Sequence, residues 1–209
     1  MVKVKEMPYS EKYATTLDYM KLLDTFVPPL VQKHLGDEGV AELQRTWQEG
    51  LKPIPEDASF EEKYEIAYGN WMRNWSIAFN FVRTHLGEGG VEEFKRADVE
   101  ALKRKGSGPA LFLLKMVRAL SPSSAFSMIA KQMAYQLQVF TPFSVSELTG
   151  QKAVFNAPRC KILDLPSGED VCLVGCQSVY PMWLAEQLMV RMNTERQGNS
   201  CTVTLIPLG

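Results

Sequence analysis

Four cysteines, Cys160, Cys172, Cys176 and Cys201, all lie within the last 50 of 209 residues, with the spacing C-x11-C-x3-C-x24-C. An even scatter would put about one there. In a reducing compartment, grouped thiols more often bind metal or react than form disulfides. Three readings of the group are open. Four converging thiolates, with Cys160, Cys172, Cys176 and Cys201 as ligands, would suit tetrahedral zinc or an iron–sulfur cluster. A thiol whose pKa is lowered would instead be a nucleophile. The third reading is plain packing, since cysteine is among the most buried residue types. The three-residue gap between Cys172 and Cys176 is looser than the usual two-residue metal knuckle, and there is no second close pair.

Acid–base partners are scarce. The two histidines, His34 and His85, stand at predicted helix ends, where an imidazole caps terminal carbonyls. Proton transfer would fall to Asp164, Glu169, Asp170, Glu186 or Tyr180, none of them singled out by spacing. Trp71 and Trp75, at i and i+4, read first as core. Asn70, Arg73 and Asn74 interleave with them, so a polar, partly basic face is expected beside the tryptophans. Were that face to border the cysteines, Arg73 would hold a substrate carboxylate, with Trp71 and Tyr180 as further substrate contacts. Met116, Met128, Met133, Met182, Met189 and Met192 read as gap fillers rather than copper ligands.

Charge narrows the partners. Lys plus Arg total 23 against 24 Asp plus Glu, so the chain lacks the electrostatic footprint of a general nucleic-acid or membrane-surface binder. The longest apolar runs are broken by Lys or Arg well short of the roughly 20 residues a spanning helix needs. The opening MVKVKEMPYSEKY has no apolar signal core, and a cytoplasmic location is expected. A small-molecule substrate fits this profile, with a homo-oligomer or a protein partner left open.

The elements that must position the cysteines divide into two textures. Residues 1–140 read as helical. Ser10 to about Leu35 has helical apolar spacing, with a kink or split expected at Pro28-Pro29. Ser59-Phe60-Glu61-Glu62 is a capping box opening a helix through Tyr64, Trp71, Trp75, Phe79 and Val82 to a stop near Gly87. Pro109–Leu120 is a further apolar helix, and Ser121-Pro122 opens another to about Val139. HLGDEGVAELQRTWQEGLK from His34 aligns with HLGEGGVEEFKRADVEALK from His85 at ten of nineteen positions. Each copy reads as a helix end, a glycine turn and a shorter charged helix folded back on the first.

Residues 141–209 read as β-prone runs with turns between them. Strands are predicted at Lys152–Ala157, Lys161–Leu165 and Val171–Gly175, with a turn at Pro166-Ser167-Gly168. Gly175 would bend the last of these so that Cys172 and Cys176 face one side. One or two helical turns are predicted from Pro181 to about Gln187. Leu188–Arg196 and Cys201–Leu208 form a hairpin around Gln197-Gly198-Asn199-Ser200. Phe140–Gly150 is a short apolar connection. The fold class is therefore α+β, a helical part of about 140 residues leading into a small antiparallel-sheet part that carries the cysteines, both sharing one core.

The run Arg159-Cys160, Cys172, Cys176, then Arg191-x-Asn193-Thr194-x3-Gly198-Asn199-x-Cys201 is similar to the L-2-amino-thiazoline-4-carboxylate hydrolase family. More distantly it resembles small-molecule-binding domains of the 4-vinyl-reductase type. The helical leader with its HLG turns also resembles that of the hydrolases. The resemblance implies an enzyme that opens a sulfur- and nitrogen-containing ring by hydrolysing a C–N bond with a cysteine nucleophile and no cofactor. On this reading Cys176 is the expected nucleophile, at a strand-to-helix turn, with Cys160 and Cys172 as its catalytic neighbours. Shortly after the cysteine matched by Cys176 the family commonly has an acidic residue; this chain reads Gln177-Ser178-Val179-Tyr180. Readings from other classes are a cysteine-ligated zinc or iron–sulfur protein acting as a sensor or maturation factor, and a partner-binding module with an apolar pocket.

Overall fold

The computed structural model describes residues 3–165 and 168–208. Two units divide at Ala101/Leu102, one being Pro8–Ala101 and the other Leu102–Gly209 with the first seven residues. This boundary falls well before residue 140, because the helices Pro109–Leu120 and Pro122–Gln136 belong with the strands that follow them. Among the described residues no helix is long and apolar enough to cross a membrane.

The Pro8–Ala101 unit is built from helix α1 (Tyr9–Gln48) and most of helix α2 (Phe60–Lys105). Each has one break, at the glycine of the repeated HLG motif: Gly36 at φ 67°, ψ −164° and Gly87 at φ 63°, ψ −159°. Only glycine adopts this backbone without strain, so the repeat in sequence is a repeat of one turn. Three residues on, Gly39 and Gly90 abut the preceding helix end. A Cβ there would sit 2.4 Å from the Leu35 Cβ and 2.2 Å from the Leu86 Cβ respectively.

The expected split at Pro28-Pro29 does not occur, and helical geometry runs through both prolines. The carbonyls they leave without an N–H partner belong to Asp24 and Thr25, both exposed residues, so the loss falls on the solvent side of the helix. The capping box is formed as read. The Glu62 carboxylate accepts from the Ser59 N–H at 2.9 Å, and the Glu62 N–H donates to the Ser59 hydroxyl at 3.3 Å. Phe94 is fully buried, and its ring is met by Phe26, Trp75 and Phe79 at centroid distances of 5.4, 5.5 and 5.9 Å. The buried Asp98 carboxyl accepts a hydrogen bond from Trp75, and burial raises its pKa to about 7.

In the second unit, α3 (Pro109–Leu120) and α4 (Pro122–Gln136) precede a four-stranded antiparallel sheet ordered β1-β2-β4-β3. The strands are β1 (Ser144–Leu148), β2 (Ala153–Ala157), β3 (Val190–Gln197) and β4 (Ser200–Pro207). Gly198, at φ 58°, allows the two-residue turn that pairs Gln197 with Ser200 and Arg196 with Cys201. One sheet face, carrying Phe155, Val190, Met192, Val203 and Leu205, packs with Phe126, Ile129, Ala130 and Met133 of α4 and with Leu184. That burial is the core of this unit.

Two predicted strands are helical instead. Lys161–Asp164 is a 3-10 turn, and Val171–Gly175 lies within a helical stretch from 168 to 188. This stretch begins as Gly168–Val171, widens to π geometry over Cys172–Val179, passes through Tyr180–Trp183 and widens again over Leu184–Leu188. Short apolar runs do not distinguish a buried strand from a buried helix. Here the buried Val171, Cys172, Gly175 and Val179 follow a helical stripe. Of the predicted Pro166-Ser167-Gly168 turn, Pro166 and Ser167 lie outside the described residues. β1 falls inside the segment read as a connection, where it forms a sheet edge with a bulge between Val145 and Glu147.

Gly90→Ala should cost about 1–3 kcal/mol through the overlap with Leu86. Gly89→Ala, whose Cβ would meet nothing within 4 Å, should be neutral or stabilising. Urea unfolding of the two variants checks the contrast. Asp98 has a native pKa above its ordinary value of 3.8, so the folded state holds a proton that the unfolded state releases in between. Its contribution is therefore most favourable below that lower value and is lost as pH rises through about 7. Asp98→Asn should flatten this part of the stability–pH curve, read as the difference between variant and parent unfolding midpoints from acid to neutral pH.

Candidate functional site

Three elements bring the cysteines together. Cys201, near the start of β4, shares the covered face of the sheet with Val203 and Leu205, by the two-residue alternation of a strand. Cys160 lies three residues beyond Ala157, which pairs with Cys201 across β2 and β4, and the Cys160 N–H donates to the Asn199 carbonyl at 2.7 Å. Cys172 and Cys176 lie one turn apart on the wide helix. They do face one side, as expected, but through helical geometry rather than a strand bent at Gly175. All four thiols are free, Cys160 and Cys172 buried and Cys176 and Cys201 half-buried.

The wide helix is tied to the sheet beneath it. In π geometry each N–H reaches the carbonyl five residues back, as the Tyr180 N–H does to Gly175. The next position is Pro181, which has no N–H to give, so the Cys176 carbonyl is left over. The Thr194 hydroxyl of β3 donates to it at 3.3 Å. Proline thus opens a carbonyl at the cysteine turn, and a strand side chain fills it.

The four thiols have unequal acidity. Cys160 is held well below the ordinary thiol value, at about 6. The largest cause is a hydrogen bond from the Cys201 thiol, followed by the backbone N–H groups of Ile162 and Leu163 in the turn it opens; burial and the charge of Asp164 act against them. Cys201 keeps its proton, its pKa pushed up because the S–H is engaged by Cys160 and because it is partly buried. Burial also raises Cys176, reinforced by Cys172 and Cys160 nearby. Cys172 is raised by burial, opposed by the Gln177 amide, which donates to its sulfur at 3.7 Å.

The reason for expecting Cys176 to be the nucleophile is therefore missing. No strand-to-helix turn stands at Cys176, and its sulfur lies inside the helical stretch with its proton held on by burial. The turn of that kind is at Cys160, where the chain leaves β2 and enters Lys161–Asp164. Arg196 was not foreseen. It pairs with Cys201 across the hairpin, bonds Glu169 at 2.8 Å and the Gly198 carbonyl at 2.9 Å, and interacts electrostatically with Cys172 and Cys160. The signal was available, because a turn at Gly198-Asn199 between paired Gln197 and Ser200 puts Arg196 opposite Cys201.

Other expected site residues do structural work. Arg73 caps the end of α1, donating to the carbonyls of Trp47, Thr46 and Glu49 at 3.0, 3.1 and 3.0 Å. Trp71 is buried and stacks on Tyr19 with centroids 4.8 Å apart. Both belong to the Pro8–Ala101 unit, whereas every cysteine is in the other. Tyr180 shares the cysteines' unit and packs edge-on against Phe140 at 5.6 Å. His34 bonds Glu93 at 3.1 Å rather than capping carbonyls, and His85 lies on the Phe81 ring. Asp164, Glu169 and Glu186 pair with Arg159, Arg196 and Lys103.

Zinc or an iron–sulfur cluster would take the four thiols as ligands; here Cys160 and Cys201 bond each other and Cys172 takes the Gln177 amide. Among the described residues no three Cys, His, Asp or Glu side chains are grouped to hold a metal ion. A groove of about 760 Å³ on the same unit, lined by Lys115, Arg118, Ser123, Gln151 and Leu208 among others, includes none of the cysteines.

No protein-family model matches the chain, and no curated protein matches it significantly. The resemblance to the amino-thiazoline carboxylate hydrolases rests on the residues quoted for it.

Iodoacetamide should modify Cys160 ahead of Cys172, Cys176 and Cys201 in the native reduced protein. Its rate should rise with pH and level off above about 6, since only the thiolate is alkylated. Peptide mapping at low reagent excess over a pH series checks both. Fastest labelling at Cys176 would reverse the ranking.

Proposed function

We propose that this chain is a cytoplasmic cysteine-dependent hydrolase that opens a small sulfur- and nitrogen-containing heterocycle, or cleaves another non-peptide C–N bond, with Cys160 as nucleophile. One observation carries the reading. The Cys160 sulfur accepts the Cys201 S–H and sits against the backbone N–H groups at Ile162 and Leu163, surroundings that favour its thiolate form. A resting thiolate adds to an electrophilic amidine-like carbon without a separate general base, and the cysteines' own unit contains no histidine. In the first step the Cys160 sulfur bonds to that carbon, the C–N bond breaks and the nitrogen leaves with a proton taken from solvent. Water then attacks the thioester-like carbon and releases Cys160. Arg196, beside Cys160 and Cys172, supplies positive charge at the edge of the group. On this reading the reaction takes no cofactor.

The reading is tested with L-2-amino-thiazoline-4-carboxylate, followed by loss of the ring signal in NMR. The wild-type protein should turn it over, with kcat/KM rising as pH passes through about 6. Cys160→Ser should lower turnover by more than about 10³-fold, while Cys176→Ser stays within about threefold. Full activity in Cys160→Ser, or no turnover by the wild-type protein, would sink the proposal.

A further inference from the structure

The paired thiols have a second chemistry open to them, distinct from hydrolysis. Cys160 and Cys201 are not merely neighbours. The Cys201 S–H hydrogen-bonds the Cys160 sulfur, and their backbones are held by the β2–β4 pairing at Ala157–Cys201 and by the Cys160 N–H on the Asn199 carbonyl. Both ends of any bond between them are thus fixed before it forms. Cys201 is half-buried, which lets a small oxidant reach the pair, while Cys160 and Cys172 are buried. Cys172 and Cys176 lie one turn apart on one helix, and the Cys172 sulfur is engaged by the Gln177 amide rather than by another thiol.

We propose that Cys160 and Cys201 form a dithiol–disulfide centre that reduces hydroperoxides. The inference shares Cys160 with the hydrolase reading but does not rest on it. In the first step the Cys160 sulfur attacks a peroxide oxygen of ROOH. An S–O bond forms, the O–O bond breaks, and the departing oxygen takes a proton and leaves as ROH. The sulfur has lost two electrons and is a sulfenic acid. The Cys201 sulfur then attacks it, the S–S bond forms, the S–O bond breaks, and hydroxide leaves as water with the proton from Cys201. Two thiols and ROOH become a disulfide, ROH and water. An external dithiol restores the pair by exchange.

The test uses the full chain, reduced, desalted and treated with equimolar hydrogen peroxide. Non-reducing peptide mapping should find one intramolecular disulfide, Cys160–Cys201, with a loss of about 2 Da, Cys172 and Cys176 still open to alkylation, and full reversal by dithiothreitol. Cys201→Ser should stop at a sulfenic acid on Cys160, a gain of about 16 Da that dimedone traps. Far-UV circular dichroism checks that this variant folds; if it does not, the wild-type map alone decides. A bond mapping to Cys172–Cys176, or Cys160 oxidised past sulfenic acid with Cys201 still alkylated, overturns the proposal. These readouts are masses, so a failed turnover assay leaves them intact, and a failed oxidation leaves the turnover result intact.

Discussion

The antiparallel register between β2 and β4 is the constraint on which the cysteine group depends. With Ala157 opposite Cys201, the chain leaves β2 at the one place from which Cys160 reaches the Cys201 thiol. A slip of one residue would turn Cys201 to the other face of the sheet and away from its partner. The register is held from two sides. The Gly198-Asn199 turn sets β3 against β4, and the covered face must keep Phe155, Val203 and Leu205 in the core. Burial of three large apolar side chains, each worth roughly 1.5–3 kcal/mol, fixes the position of a thiol that contributes little to stability.

Over this sheet corner lies a helix that departs from α geometry where its cysteines are. Pro181 would remove a hydrogen bond from any helix. Here the loss is displaced onto the Cys176 carbonyl and met by Thr194. The same segment keeps the Cys176 thiol protonated through burial, so its contribution to the group is steric and apolar. Differential acidity within a set of chemically identical side chains comes from who donates to whom. Cys201 donates its S–H to the Cys160 sulfur and keeps its own proton in doing so.

The helical unit solves a different problem with repeated means. Gly36 and Gly87 turn the chain in the same way, and Gly39 and Gly90 let it return close to itself. Two of its polar side chains, Asn70 and Arg73, are committed to backbone. The Asn70 amide bonds both the N–H and the carbonyl of Lys52, and Arg73 closes the end of α1. A polar face interleaved with tryptophans thus serves to anchor the connection between α1 and α2.

Patterns that depend on neighbours along the chain were legible without a structure. The capping box at Ser59, the glycine turns at Gly36 and Gly87, the helices from Pro109 and Pro122 and the hairpin around Gly198 are all set by local backbone preference and hydrogen bonding. So was the α+β class, because the change from helical to alternating spacing near Thr141 is a property of the sequence itself. The gathering of four thiols was also legible as a candidate site, from their clustering. Tertiary structure decided which state each ambiguous run took and which thiol was acidic. Lys161–Leu165 and Val171–Gly175 carry apolar residues that fit strand or helix equally, and only the packing above the sheet selects between them. The acidity of Cys160 depends on a proton held by a residue 41 positions away, and no local preference records a contact of that range.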